Sequence, residues 1–319
     1  MEKFTKKNLR ALVESTDYPM ASIEKTMRLL DLLKKFNTDE FLKRNLALKG
    51  GTAINVIYYS ELRRLSVDLD FDLARNVPKE EMLEVKNKVS EKITVIVENL
   101  GYELKDPRPN YALHQMELYY HSATGNRDKI KLDINCLSRC HIYEPIVKAA
   151  SNPFDKEDVF PVRILSEYEL FGAKLKALLE RYTPRDIFDA YTLEDKGLFR
   201  EESQINSIRK CIAYYLSLTT GVDISQALMD IKSRAIQDFK KQLFPMLKTG
   251  YGFVDHDKMS SDAVKCVSRY LKFTKEEQEY LIAAENGCYI PELLFDKDIS
   301  SRIQDNPAAK FYILSRNQK

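Results

Sequence analysis

Three aspartates occupy every second position in the stretch RLSVDLDFDL, residues 64 to 73, and apolar residues fill the positions between them. This period-two pattern predicts a strand with one apolar face. Side chains two positions apart on a strand point the same way, about 6.6 Å apart, so Asp68 and Asp70 can address one site together. Because Mg²⁺ prefers oxygen ligands and binds jointly with nucleotide phosphates, the pair predicts a site for Mg²⁺, with Mn²⁺ as the alternative ion.

A further aspartate lies in KIKLDIN, residues 129 to 135, where Asp133 shares a strand face with Lys131. The apolar residues of this segment take the other face. Asp133 belongs to the second strand of a predicted hairpin and is the candidate third metal ligand, which would allow two ions to bind.

Two other interpretations of the aspartates were considered. An alternating strand can simply carry a solvated polar face, although aspartate is depleted in strands. An EF-hand loop that starts at Asp68 fails, because its sixth position would be Leu73 instead of glycine and its twelfth would be Lys79 instead of glutamate.

Gly50 and Gly51 lie between a short apolar run and a helix-compatible segment, which predicts a strand, a tight turn and a helix. Without side chains, the glycines let backbone N–H groups approach a triphosphate at the start of the helix. Thr52 and Ser66 can each add a hydroxyl to phosphate or metal. The alternatives are a turn for the glycines and helix caps for the hydroxyls.

A second group of chemical residues follows from Ser166, where a capping-box spacing predicts a helix. Lys174 and Arg181 are seven residues apart and so share one helical strip that can face a triphosphate. In TPRDIFDAY, Asp186 falls in the first turn of the next helix, where an acid also complements the helix dipole. Solvated surface residues are the alternative interpretation of Lys174 and Arg181.

The remaining pattern predicts an α+β protein of two domains. Residues 1–160 are expected to form a domain with a mixed or antiparallel sheet flanked by helices, and residues 161–319 a mainly α-helical domain. The segment around residues 152 to 161 is the candidate linker. Amphipathic spacing predicts helices over residues 22–36 and 80–100, and turn residues in ATGNRD predict a hairpin of residues 111–121 and 129–136.

Composition is that of an ordinary folded protein and excludes a disordered or fibrous chain. The 319 residues are 44% hydrophobic and 31% charged, with a net charge of +2, so any contact with nucleic acid must come from a local patch. The candidate patches are residues 127–131, 209–210 and 232–241. The five cysteines, and the lack of a signal-peptide pattern in MEKFTKKNLR, favour reduced thiols and a cytoplasmic location, and no apolar run is long enough to span a membrane. Cys136, Cys140 and His141 are weak candidates for zinc, because a second cysteine pair is missing.

The glycine pair, the aspartate pair and the later strand aspartate together resemble the nucleotidyltransferase superfamily with a DNA polymerase beta-like fold. LKGGTAI, RLSVDLDF and AKLKALLERYTPRDIFDAY more closely resemble the AbiEii/AbiGii toxin family of toxin–antitoxin and phage-defence systems. EKTMRLL and YIPELLF extend the resemblance over nearly the whole chain. The sixteen residues between Gly51 and Asp68 exceed the general superfamily spacing but are typical of this toxin family.

The resemblance implies that Asp68, Asp70 and Asp133 bind metal. Asp72 has no counterpart in that motif, and we expect it to be a solvated or salt-bridged surface residue. The resemblance also implies that Lys174 clamps phosphate and that Asp186 orients it or acts as a base. The expected reaction is transfer of a nucleoside monophosphate from an NTP to an acceptor hydroxyl, with the 3′ end of tRNA as acceptor and a cognate antitoxin encoded nearby. The alternatives are nucleotidylation of a protein, as in AMPylation, and a regulatory nucleotide-binding protein without turnover.

Overall fold

The structure is a computed structural model that describes residues 4–59, 64–105, 110–250 and 255–318. A seven-stranded sheet forms its centre, in the order β3-β4-β5-β2-β1-β7-β6. The strands are β1 (Leu46–Lys49), β2 (Asp68–Leu73), β3 (Glu103–Lys105), β4 (Leu113–His121), β5 (Arg127–Asn135), β6 (Ile146–Asn152) and β7 (Asp155–Ile164).

The sheet is mixed. Strand β2 runs parallel to β5, and β1 runs parallel to β7, whereas the other neighbouring strands are antiparallel. The two parallel pairings bring strands that are distant in the chain to the middle of the sheet. The predicted α+β class with a mixed sheet is confirmed.

Helices α1 to α5 accompany the sheet: α1 (Lys6–Thr16), α2 (Met20–Thr38), α3 (Glu40–Asn45), α4 (Gly50–Ala53) and α5 (Lys79–Asn99). Helix α4 continues as one π-helical segment, Ile54–Tyr58. Phe36 of α2 packs edge-on against Phe71 of β2, with ring centroids 6.3 Å apart. Since neighbours along a strand point to opposite faces, the apolar side of β2 faces α2 and its aspartates face the other way.

The C-terminal part is helical, as predicted. Its helices are α6 (Glu167–Arg181), α7 (Pro184–Asp195), α8 (Glu202–Ser217), α9 (Ile224–Lys232), α10 (Ile236–Gln242), α11 (His256–Arg269), α12 (Lys275–Glu285), α13 (Lys297–Ile303) and α14 (Pro307–Tyr312). Helix α6 packs against α8, and α7 packs against α11.

The chain divides into two compact units. The first comprises residues 1–141, 145–165 and 244–252, and the second comprises residues 142–144, 166–243 and 253–319. The predicted boundary at residues 160 and 161 falls inside β7, and the segment expected to be a linker is instead the antiparallel hairpin of β6 and β7. The Asn-Pro turn between these strands resembles a linker in sequence. However, the two strands form backbone hydrogen bonds with each other, and β7 also pairs with β1.

Candidate active site

Three aspartates meet on one face of the first unit's sheet. In the parallel ladder between β2 and β5, Asp70 lies directly opposite Asp133, and Asp68 lies opposite Lys131. All three aspartates are half-buried. Because residues two apart share a face, the side chains of Asp68, Asp70 and Asp133 stand on the same side of the sheet. The register thus brings together carboxylates that are more than sixty residues apart in sequence.

The glycine turn lies beside this acidic face. Gly50 follows β1 with a φ of +70°, and a Cβ added there would stand 2.6 Å from Oδ2 of Asp70. This position needs glycine for two reasons, since an L side chain rarely adopts that φ and the Asp70 carboxylate fills the space. The backbone at the start of α4 therefore approaches a candidate metal ligand directly.

Asp133 lies among both acidic and basic groups. Burial raises the pKa of the Asp133 carboxyl and the nearby charge of Asp68 raises it further, although a hydrogen bond from Gln115 Nε2 at 3.3 Å and the charges of Lys131 and Lys49 act in the opposite direction. The donor set of three carboxylates fits a divalent cation, which Asp68, Asp70 and Asp133 would hold.

Asp72 has a structural partner instead of a place at the surface. It is only 2% exposed, and its Oδ1 lies 2.5 Å from Nζ of Lys49. The predicted salt bridge is present, but the expectation of a surface residue is wrong. Sequence alternation places Asp72 on the polar face, yet it cannot show that a lysine on the adjacent strand β1 covers it.

Lys49 places a positive charge beside the acidic face. Burial acts to lower the pKa of Lys49, but its ion pair with Asp72 outweighs burial and raises that pKa. The charges of Asp70 and Asp133 act in the same direction. Lys49 was not among the residues predicted for the site, although its position just before the glycines was a usable signal.

The two predicted hydroxyls are buried and bonded to each other. Thr52 Oγ1 donates to the backbone oxygen of Asp68 at 2.6 Å, and Ser66 Oγ lies 2.6 Å from Thr52 Oγ1. Because Thr52 donates its single hydroxyl proton to the backbone oxygen of Asp68, the Ser66 hydroxyl donates to Thr52 Oγ1. These bonds connect the first turn after the glycines to the start of β2, so both hydroxyls position the acidic strand.

Arg64 is a residue that sequence reasoning did not select. Its side chain is buried, and a Cβ added at Gly51 would meet Nη2 of Arg64 at 2.4 Å. Its Nη1 donates to the backbone oxygen of Leu65 at 3.3 Å. The structure therefore places a guanidinium against the second glycine, where backbone N–H groups and a cation suit a phosphate.

In the second unit, Lys174 forms ion pairs with two aspartates. Its Nζ lies 2.9 Å from Oδ1 of Asp186 and also pairs with Asp189, one helical turn further along α7. Lys174 is 9% exposed, and both aspartates are buried. Asp189 was not predicted for the site, although its spacing of three residues from Asp186 places both carboxylates on one side of α7.

Asp186 is the acceptor for three side chains. Arg181 donates to it through Nε at 2.7 Å and Nη2 at 3.0 Å, and Thr183 donates its hydroxyl at 2.6 Å. Burial acts to raise the pKa of Asp186, but Lys174 and Arg181 outweigh it and lower that pKa well below its usual range. A carboxylate held in this way orients Lys174 and Arg181 and is poorly suited to act as a base.

Two other groups of metal-binding residue types were compared with the strand aspartates. Among the described residues, the cluster whose ligand atoms lie within 4.8 Å of one another is Asp255, His256 and Asp257. It is formed by consecutive residues at the exposed start of α11, where Asp255 accepts bonds from two backbone N–H groups as a helix cap. Cys136, Cys140 and His141 are buried and do not belong to such a cluster. The strand aspartates share a face without forming a closed ligand cage.

Comparison with known proteins gives a family and a similar fold. Residues 31–260 match the family described as nucleotidyl transferase AbiEii toxin, type IV toxin–antitoxin system. The fold is similar to that of MenT4, a nucleotidyltransferase toxin from Mycobacterium tuberculosis H37Rv, with a TM-score of 0.58 and 15% sequence identity over 90% of this chain and 92% of that chain. No curated protein matches the chain.

The family match defines a nucleotidyltransferase, an enzyme, which sets aside the alternative of a regulatory protein without turnover. The chain belongs to the AbiEii family of nucleotidyltransferase toxins of type IV toxin–antitoxin systems. Within the described residues, none of the helices is long and apolar enough to cross a membrane.

Proposed function

We propose that this toxin transfers a nucleoside monophosphate from an NTP to the hydroxyl at the 3′ end of tRNA, with release of pyrophosphate. The observation that carries the proposal is the register that sets Asp70 opposite Asp133, on the sheet face that also holds Asp68 and meets Gly50. Nucleotidyl transfer depends mostly on positioning and charge neutralisation, which a metal held by carboxylates supplies.

The residues have separate roles in this proposal. Asp68, Asp70 and Asp133 hold Mg²⁺, or Mn²⁺ in its place, while the backbone after Gly50 and Gly51 and the guanidinium of Arg64 bind phosphate. Thr52 and Ser66 position the first two carboxylates through the bond to the Asp68 backbone. Bound Mg²⁺ would neutralise the phosphates and lower the pKa of the attacking hydroxyl.

The resemblance to the toxin family supports a further role for the cations of the second unit. Lys174 and Arg181 would bind phosphate, and Asp186 orients both of them. The support is their shared carboxylate, since one buried group bonds to both side chains and fixes their directions. Asp189 adds a second fixed partner to Lys174.

The toxin family supports a wider proposal about partners. A cognate antitoxin encoded nearby would restrain the enzyme, growth arrest would follow from modified tRNA, and phage defence would be one use of that arrest. Since NTPs and tRNA are both substrates, we place the reaction in the cytoplasm.

The test incubates the protein with each labelled NTP in turn, Mg²⁺ and total tRNA. Label should appear on tRNA with wild-type protein and fall by at least about 100-fold with Asp70→Asn or Asp133→Asn. Gel separation of RNA from protein then decides the acceptor. Label on protein alone would reject tRNA and assign protein nucleotidylation to the same site.

A further inference from the structure

The polar face of the sheet continues past Asp133 onto β4 and β3. Each strand contributes residues that point the same way, so the paired positions form rows across the sheet. The rows are Lys49–Asp70–Asp133–Gln115, then Asp68–Lys131–Glu117–Lys105, then Lys129–Tyr119–Glu103. The face thus changes from acidic beside the glycines to a mixture of basic and aromatic residues towards the edge strand β3.

Two open grooves follow this face. The first, of about 450 Å³, has Asp133 in its lining and extends along β4 and β5 to Tyr119 and Lys105. The second, of about 360 Å³, shares Tyr119 and Lys105 with it and continues to Arg127. A ligand that lies in these grooves would run from the candidate metal site towards the edge of the sheet.

The charges of the grooves suit a polyanion. Four cations line them, Lys105, Arg127, Lys129 and Lys131, against the carboxylates of Glu103, Glu117 and the candidate metal ligand Asp133. Lys131 and Lys105 are exposed, whereas Arg127 pairs with Glu103 and Lys129 pairs with Glu117. The Arg127–Glu103 pair is exposed and contributes little to stability, so Arg127 can exchange its glutamate for a phosphate at small cost, whereas the Lys129–Glu117 pair is half-buried.

Tyr119 supplies an aromatic surface among these cations. The Arg127 guanidinium lies 4.4 Å from the centre of the Tyr119 ring, and Lys129 Nζ lies 5.5 Å from it. The Tyr119 hydroxyl donates to Glu117 at 2.7 Å, which fixes the ring on the sheet. Unpaired bases stack on tyrosine rings and on guanidinium planes, so this group is suited to a nucleobase.

We propose that the grooves along β3, β4 and β5 bind the single-stranded segment that leads to the reacting 3′ hydroxyl, and this inference rests on the proposed function. Phosphates of the segment contact Lys131 and Lys105, and one base stacks on the Tyr119–Arg127 pair. Tyr119 lies opposite Lys129, four residues from Asp133 along β5, which is about 13 Å from the metal row. The stacked base therefore belongs to an upstream nucleotide and not to the one that reacts.

This placement predicts the kind of acceptor. A mononucleotide would not reach Tyr119 from the metal row, and a blunt duplex keeps its bases stacked inside where the ring cannot contact them. The site should therefore require an RNA whose 3′ end is unpaired over at least two nucleotides.

The test measures binding without NTP, by fluorescence anisotropy of a labelled single-stranded RNA oligonucleotide and of a blunt hairpin RNA. Tyr119→Ala should raise the dissociation constant for the single strand about 5-fold to about 150-fold, and Tyr119→Phe should leave it within about 2-fold. Lys131→Ala should reduce the salt dependence of binding by about 0.7 in the logarithmic slope. Lys156→Ala is the matched control, because Lys156 is an exposed lysine of β7, which lies towards the edge of the sheet opposite β3.

Three outcomes would overturn the proposal: unchanged binding in Tyr119→Ala, equal loss in Lys156→Ala and Lys131→Ala, or equally tight binding of the blunt hairpin. Steady-state kinetics add a second readout, since Tyr119→Ala should raise KM for the RNA and leave KM for the NTP unchanged. A rise in KM for the NTP alone would assign the ring to the nucleotide instead. If wild-type protein binds the single strand as described but transfers no label to it, the proposed function fails and the binding surface remains.

Discussion

Gly50 lies against Asp70 so closely that a methyl group on its Cα would stand 2.6 Å from a carboxylate oxygen. The two residues are twenty positions apart, and the antiparallel pairing of β1 with β2 brings them together, with Lys49 opposite Asp70. Gly50 thus allows the turn that precedes α4 and also leaves room for the carboxylate of a candidate metal ligand.

This contact predicts that Gly50→Ala inactivates the enzyme. The methyl group must displace the Asp70 carboxylate. A displacement of a metal ligand by about 1 Å can lower the rate about 100-fold. The positive φ also strains an alanine in the folded state, which lowers the free energy of unfolding by about 1–2 kcal/mol. Nucleotidyl transfer and urea unfolding, measured on the same preparation, separate the two effects.

Gly101→Ala is the control for that substitution. Gly101 has a φ of +80° and no atom within 4 Å of an added Cβ, so it carries the backbone cost alone. Gly101→Ala should lose stability by that cost alone and keep its activity, whereas Gly50→Ala should lose at least as much stability and also its activity. Equal activity of the two variants would contradict the role given to the Gly50–Asp70 contact.

A second prediction concerns Gly51 and Arg64. Gly51→Ala places a methyl group 2.4 Å from Nη2 of Arg64, which is the movable end of a long side chain. The substitution should therefore displace the guanidinium and raise KM for the NTP to about the same extent as Arg64→Ala. Because both act on one interaction, the double variant should be no worse than either single variant, as a double-mutant cycle would show. Additive effects would mean that the two residues act separately.

A third prediction concerns metal binding. Added Mg²⁺ should stabilise the wild-type protein by about 2.7 kcal/mol at a free concentration about 100 times its dissociation constant, measured as a shift in Tm. Asp70→Asn and Asp133→Asn should abolish the shift. Without metal, Asp133→Asn should be at least as stable as wild type, because burial disfavours the Asp133 charge and the charge of Asp68 repels it.

Asp255→Asn is the control for metal binding, because Asp255 belongs to the exposed cluster at the start of α11. The shift in Tm should persist in this variant. Loss of the shift in Asp255→Asn, with retention in Asp70→Asn, would move the metal from the strand aspartates to that cluster.

A fourth prediction concerns pH. The pKa of Asp186 is lower in the folded protein than its ordinary value of 3.8, so the ionised carboxylate stabilises the fold above that value. This contribution is lost as the pH falls below 3.8 through the lower pKa of the folded state. Asp186→Asn should destabilise the protein near neutral pH by about 1–3 kcal/mol, because it removes the acceptor of Arg181 and Thr183 and leaves the buried Lys174 with its ion pair to Asp189. The variant should also show a smaller further loss of stability on acidification.

Urea unfolding near pH 7 and near pH 3 measures this difference. Asp305→Asn is the control, since Asp305 forms an ion pair but its side chain is 84% exposed. Its pH dependence should match that of wild type. If Asp186→Asn also matched wild type, the buried ion pairs of Asp186 would not contribute to acid sensitivity.

Local patterns predicted most of the elements that carry the site. Alternation identified β2 and β5 to within a residue or two, and the glycine pair marked the end of β1. The errors arose where one segment resembles two structures. Residues 152 to 161 contain a Pro turn and many charges, which suggests a linker, but hydrogen bonds to β6 and β1 make β7 a strand of the main sheet.

Sequence by itself identified the residues proposed to carry the chemistry, because period-two alternation and a glycine turn are properties of neighbouring residues. Only the tertiary structure decided which of them meet. The parallel register of β2 and β5 sets Asp70 opposite Asp133, the ion pair with Lys49 buries Asp72, and Arg64 packs on Gly51. These contacts join residues on different strands or on separate turns of the chain, so they depend on strand order and register, which the spacing of residues along one segment does not encode.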